Sequence, residues 1–188
     1  MGDPLRDRCL PRDLAANQQV FEFSKKIGAF SRLAELVEGD LSALEAGDTL
    51  LNWREFLVTG SLGFSFADAT EAAVALDMSI KATVPAVCQR CLQGFEMPLA
   101  TALQLLLGEP GKDIAERDDY EFWELSEKEF SPLELVEEAL IMALPLAAIH
   151  ENRNDCVTLD STQGDEDRAD REMTTPFAAL RAQMDDRK

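Results

Sequence analysis

Val74-Ala75-Leu76-Asp77-Met78-Ser79-Ile80-Lys81-Ala82-Thr83-Val84 is the stretch whose reading decides the fold. Apolar residues stand at 74, 76, 78, 80, 82 and 84, and Asp77, Ser79, Lys81 and Thr83 fall between them. Side chains of an extended chain point alternately to opposite faces, so this pattern is a strand with one dry face and one wet face. The same period appears on either side. Upstream, Phe56, Val58, Leu62, Phe64 and Phe66 recur at every second position, interrupted by Gly60; downstream, Phe95, Met97 and Leu99, then Leu103, Leu105 and Leu107, continue it on odd numbers. Turns at Ala67–Glu71 and at residues 86–94 join the three segments, which predicts an antiparallel sheet with one buried face. Gly60 and Gly63 suit a bulge in the first of them.

Further out the period lengthens. Val20-Phe21-Glu22-Phe23 has strand character, while Phe30 to Val37 fits a short helix stopped by Gly39. Residues 1–18 are mixed and polar, with Pro4 and Pro11, and read as a surface segment. Residues 111–131 are acidic, and Tyr120, Phe122 and Trp123 within them predict a short edge strand. Ser131-Pro132-Leu133-Glu134 has the form of a capping box with proline at the first helical position. It opens a helix to about Leu144, with Leu133, Val136, Leu140 and Leu144 on one face and Pro145 as its stop. The fold class expected is α+β: a strongly bent antiparallel sheet, a helix packed on it after the acidic stretch, and a tethered C-terminal helix. The expected division is a single domain over 1–156, a flexible acidic linker over 157–175, and a helical docking segment over 176–188. In that last segment Phe177, Leu180 and Met184 have helical spacing, which suits packing on the protein itself or on a partner.

Composition narrows the function. Apolar residues make up 46% of the 188, enough for a core. The longest apolar run, Ala139 to Ile149, is too short for a membrane helix and contains Pro145. The first residues lack the apolar stretch of a secretion signal, so the expected location is cytoplasmic, with no membrane contact. Four cysteines are too few for a disulfide scaffold. The net charge is −18, and residues 111–188 hold 9 basic and 21 acidic groups, a net of −12. Such a field repels phosphate backbones at long range. Lys25, Lys26 and Arg32 are the nearest approach to a basic cluster. The acidity either keeps the protein soluble or receives a basic partner.

Cys88-Gln89-Arg90-Cys91 sits at the tip of the second predicted hairpin. Two thiolates two residues apart can grip one ion from a tight turn, and two more ligands complete a tetrahedron. His150, the sole histidine, lies six residues before Cys156. Cys88, Cys91, His150 and Cys156 together form a Cys₃His set of the kind structural zinc takes. Two other readings stand beside it. The pair Cys88 and Cys91 suits redox chemistry less well in a strand hairpin than at a helix N-terminus, and the four residues also suit plain packing. Cys9 is left over as an ordinary thiol. Catalysis has little support: there is no phosphate-binding glycine loop and no G-x-S-x-G or H-E-x-x-H, and the single histidine already belongs to the cysteine set. Asp118-Asp119 and Glu137-Glu138 have the chemistry to hold Mg²⁺, but read more simply as solvated faces. Phe122 and Trp123 have the chemistry to stack on bases, but their acidic neighbours favour packing or protein contact.

Three stretches taken together resemble a known family: Val87-Cys88-Gln89-Arg90-Cys91-Leu92 with Phe95; Leu133 to Leu146, ending in Pro145-Leu146, with His150 following; and Pro176-Phe177-Ala178-Ala179-Leu180. Their order and spacing resemble the YceD family, the large ribosomal RNA subunit accumulation proteins. One departure is visible, since members often carry a second proline two residues before the histidine, where this chain has Ala148. The resemblance implies a bacterial cytoplasmic, non-catalytic factor supporting synthesis, processing or stability of large-subunit ribosomal RNA. The implied partners are that RNA or its precursor, directly or through a basic ribosomal protein shielded by the acidic surface. Two alternatives are a direct RNA-binding zinc module and a metal-dependent nuclease in ribosomal RNA processing.

Overall fold

The structure, a computed structural model, describes residues 3, 5–42, 44, 51–67, 73–108, 119–125 and 127–156. In chain order it contains α1 (Pro11–Ala16), β1 (Val20–Lys26), α2 (Ser31–Leu41), β2 (Leu57–Phe66), β3 (Val74–Val87), β4 (Gly94–Gly108), β5 (Glu121–Glu124) and α3 (Pro132–Ala143). Single 3₁₀ turns occur at Ile27–Ala29, Trp53–Glu55 and Arg153–Asp155. The strands form one open sheet in the order β1-β2-β3-β4-β5. This is the α+β class that the alternation predicts.

The sheet is mixed, however, where the sequence predicts antiparallel pairing throughout. β1 to β4 pair antiparallel, and β5 runs parallel to β4 through Leu105↔Glu121 to Gly108↔Glu124. Twelve residues separate Gly108 from Glu121, more than a hairpin loop needs and the length of a crossover to a parallel neighbour. The remainder of the predicted turn after Ala67, the acids at 111–118, the 157–175 linker and the 176–188 segment lie outside the described residues.

β3 shows why the alternation matters. Leu76, Met78, Ile80 and Val84 are buried, and Asp77, Ser79 and Lys81 are exposed. Val58, Leu62 and Phe64 of β2 and Leu105 of β4 extend the dry face, against which Leu33, Ala34, Val37 and Leu41 of α2 and Leu135, Val136, Ala139 and Leu140 of α3 pack. Among the described residues, the opposite face carries a small apolar cluster of Ala73, Ala75 and Leu106, with Ala67 and Tyr120 against it.

The predicted bulge does not form. Pairing runs without a slip from Val20↔Gly63 to Lys26↔Leu57 and from Val58↔Ala82 to Phe66↔Val74. Gly60 instead makes room. A Cβ there would stand 2.4 Å from the Ser79 carbonyl oxygen and 2.9 Å from Cζ of Phe23, whereas one on Gly63 would meet nothing closer than 4.0 Å. Gly60→Ala therefore has to push β2 from β3 or displace the Phe23 ring, and is expected to cost about 2–3 kcal/mol in urea denaturation, against less than about 0.5 kcal/mol for Gly63→Ala.

The helices differ from expectation in three details. α2 continues through Gly39, which faces open space, because Leu41 beyond it has a place in the core. α3 buries Leu135, Val136, Ala139 and Leu140, with Leu133 and Leu144 only half-buried. Its capping box is not made: the Ser131 hydroxyl donates to the Leu5 carbonyl (3.0 Å), and the Leu133 N–H donates to the same oxygen (2.8 Å). The first residues thus do more than lie on the surface. Leu5, Pro11 and Ala15 are buried, and Cys9 and Phe130 exchange backbone hydrogen bonds of 3.0 and 3.1 Å. The start of α2, which has no side-chain cap of its own, is capped from α3. The buried Glu137 carboxylate accepts from the N–H groups of Arg32 (2.7 Å) and Leu33 (3.2 Å).

Candidate metal centre

β3 and β4 are the two longest strands, and Cys88–Gln93 is the turn between them. The Cys88 N–H donates to the Gln93 carbonyl (2.9 Å) and the Leu92 N–H to the Cys88 carbonyl (2.8 Å). This tight return puts Leu92 at φ 60°, a left-handed backbone that a leucine adopts only under constraint. The second arm begins where Pro145 ends α3. The Gln89 N–H donates to the Ala148 carbonyl (2.8 Å) and ties this arm to the turn. A carbonyl performs that task whether residue 148 is alanine or proline, so the departure at Ala148 leaves the link in place. A 3₁₀ turn at Arg153–Asp155, with Asn152 accepting from the Asn154 N–H (3.1 Å), then delivers Cys156.

The four residues singled out from sequence meet at one point. One ligand atom from each of Cys88, Cys91, His150 and Cys156 lies within 4.8 Å of all the others. Cys88 Sγ is 3.9 Å from Cys156 Sγ, and His150 Nδ1 is 3.6 Å from Cys91 Sγ and 3.5 Å from Cys156 Sγ. Tetrahedral zinc with Zn–S near 2.3 Å and Zn–N near 2.0–2.1 Å has S···S edges of about 3.8 Å and S···N edges of about 3.6 Å. Three of the six edges thus match those of a zinc tetrahedron, the whole set lies within 4.8 Å, and the donor types are those of a closed structural site. Cys88 and Cys91 are buried, His150 and Cys156 half-buried, and all four cysteines are free of disulfides.

Electrostatics prepares the site for a cation. Burial opposes ionisation of Cys88, but N–H groups of His150, Cys91 and Arg90 donate to its sulfur, and with the Cys91 side chain they bring its pKa from 9.0 down to about 5. The shift favours the thiolate, the form in which a cysteine binds a metal. Cys156 is shifted up, first by burial and then by Cys88 and Cys91. An ion between them relieves that repulsion.

Two neighbours went unnoticed in the sequence. Arg90 Nη1 donates to Cys156 Sγ (3.5 Å), and the Phe95 ring lies 4.4 Å, centroid to centroid, from the His150 ring. Arg90 stands inside the cysteine pair and Phe95 in the quoted stretch, but nothing in their spacing marks them as contacts of residues some sixty positions away.

The other candidates disperse. Cys9 pairs its backbone with Phe130, and its thiol is pushed up by burial and then by Asp7, Glu129 and Asp13. Trp123 packs against the core and Phe122 is exposed. Glu137 and Glu138 are engaged with α2, Glu138 through Arg32 Nη1 (2.5 Å). Asp118 lies outside the described residues, so the carboxylate pairs assemble no Mg²⁺ site among those described. Lys25 pairs with Asp3 (2.7 Å), Lys26 with Glu55, and Arg32 with Glu138, so this nearest approach to a basic patch is already neutralised. Among the described residues no helix is long and apolar enough to cross a membrane.

No curated protein and no solved structure matches the chain. Residues 76–182, more than half of it and including all four ligand candidates, match the family model described as large ribosomal RNA subunit accumulation protein YceD.

Proposed function

This chain belongs to the YceD family of large ribosomal RNA subunit accumulation proteins, and from that premise we propose that it is a non-catalytic cytoplasmic factor in biogenesis of the large ribosomal subunit, built around a structural zinc. The family match supports the link to the large subunit and its RNA, and its span takes in most of the hairpin, α3 and the metal arm together. The closed Cys₃His set carries the second. Four protein ligands leave no open position for water or substrate, so a zinc held there cross-links rather than reacts. Cys88 and Cys91 hold it from the β3–β4 turn, and His150 and Cys156 bind the arm after α3 to that turn.

The contact with ribosomal RNA is indirect in this reading. A charge of −18, with Lys25, Lys26 and Arg32 paired to carboxylates, opposes phosphate and favours a basic protein. A ribosomal protein of the large subunit, rich in Lys and Arg and waiting for its RNA, has the complementary chemistry. Affinity capture from growing cells, with and without nuclease, tests this. Large-subunit ribosomal proteins should remain bound after nuclease and leave as salt rises. Loss of every partner on nuclease treatment would instead favour direct RNA binding, and failure to bind purified ribosomal proteins at low salt would end the protein-partner reading. Cleavage of precursor ribosomal RNA by the purified protein with Mg²⁺ or Mn²⁺ would overturn the non-catalytic one.

A further inference from the structure

We infer that Arg90 and Phe95 form the outer shell of this centre, Arg90 as counter-charge on the Cys156 sulfur and Phe95 as the surface that turns His150 so that Nδ1 is the ligand atom. The inference rests on the reading of the four residues as a metal site. Three thiolates, one neutral imidazole and a dication leave one negative charge in excess, next to two buried ligands. Such charge needs a nearby partner.

Arg90 is placed to be that partner. Acidic residues outnumber basic ones 36 to 18 in this chain, yet Arg90 has no carboxylate partner among the described residues; its guanidinium is spent on sulfur, 3.5 Å from Cys156 Sγ. Its backbone N–H also donates to the Cys88 sulfur, so one residue addresses two of the four ligands, one through its backbone and one through its side chain. Cys156 is the ligand with most need of support. It sits on the half-exposed arm, whereas Cys88 and Cys91 sit in the turn between two long strands.

Phe95 acts on the other ligand of that arm. Its ring lies against the imidazole at 4.4 Å, tilted by 38°, with Nδ1 3.5–3.6 Å from two sulfurs. Contact on the ring face restricts rotation that would otherwise bring Nε2 around. Nε2 is left to carry the proton.

The test uses the full chain, loaded with zinc or with cobalt(II) as a spectroscopic substitute. Arg90→Ala should weaken zinc binding about tenfold or more in competition with a chelator, as outer-shell losses do. Arg90→Lys, which keeps the charge and loses the fork, should recover part of it. The sulfur-to-cobalt charge-transfer band should move to lower energy in Arg90→Ala, because a sulfur lone pair loses its donor; a purely structural role would leave it in place. Long-range proton–nitrogen spectra of the zinc form should show a metal-bound Nδ1 and a proton on Nε2, and Phe95→Leu should broaden or mix these signals. Zinc affinity within twofold of wild type in Arg90→Ala, or an unmoved band, overturns the role of Arg90. Ligation through Nε2 overturns that of Phe95. Wild-type protein that binds neither zinc nor cobalt overturns the metal reading itself, a result distinct from both.

Discussion

Cys88→Ser is expected to abolish the zinc binding proposed for this chain and to lower its melting temperature by about 10 °C or more. Structural zinc contributes its binding free energy to folding, and for a chain of this size each kcal/mol is worth roughly 2–4 °C. Losing about 3–5 kcal/mol of that linkage therefore produces a shift well outside error. The damage should be local. Amides held by the centre, those of Gln89 and Leu92, should lose hydrogen-exchange protection, while those of Leu76 and Ile80 in the middle of β3 keep theirs. A chelator should reproduce the effect in wild type, and so should acid, since every ligand must be deprotonated to bind. Cys9→Ser should keep its ion, because Cys9 pairs with Phe130 and takes no part in the cluster. Elemental analysis beside thermal melts reads all of this. Near-zero zinc in both wild type and Cys88→Ser would remove the metal from the account.

Glu137→Ala should cost about 3 kcal/mol, a large effect for a residue in no reactive site. A carboxylate only 7% exposed is tolerated because it accepts two N–H groups at the start of α2, 2.7 and 3.2 Å away. Hydrogen bonds to a charged group are worth roughly 1.5–3 kcal/mol, and the helix dipole adds to them. Alanine leaves the N–H of Leu33, itself buried, without that partner, and opens a void beside it. Glu137→Gln keeps an acceptor and should lose about 1 kcal/mol. Glu138→Ala removes a solvent-facing ion pair with Arg32 and should lose less than about 0.5 kcal/mol. Urea midpoints for the three variants should fall in that order, and equal midpoints would dismiss the cap.

The sheet was legible because β2, β3 and β4 each have one wet face, and alternation is the direct record of that. β5 was legible as an edge but not in direction: four residues carry no trace of which way they run, and parallel pairing is decided by the link before them. α3 was read to within a residue at each end, since Pro132 and Pro145 bound it by their missing N–H groups. Its N-cap was misread because Ser131 has a competing partner, the Leu5 carbonyl, that lies far away in sequence. The same holds for Glu137, which has the look of a surface acid in Val136-Glu137-Glu138 until α2 is placed over it. The four candidate ligands were found because cysteine and histidine are scarce here and so few combinations exist. Their convergence depends on the Gln89-to-Ala148 hydrogen bond, which joins two backbones and has no residue signature.

The strap at the beginning of the chain has a consequence for the order of synthesis. Leu5 receives its partners from Ser131 and Leu133, and Cys9 from Phe130, at separations of more than 120 residues. Arg8 donates to Glu127 and to the Glu129 carbonyl across 119 and 121 residues. The segment made earlier therefore waits for one made much later, and the Leu133 N–H at the start of α3 finds its acceptor only in that segment. Hairpins β2–β3 and β3–β4 can close as they emerge, but the strap closes only when α3 is outside the exit tunnel. Until then Leu5 and Phe130, both buried in the finished fold, are bare apolar groups on a chain still attached to its ribosome.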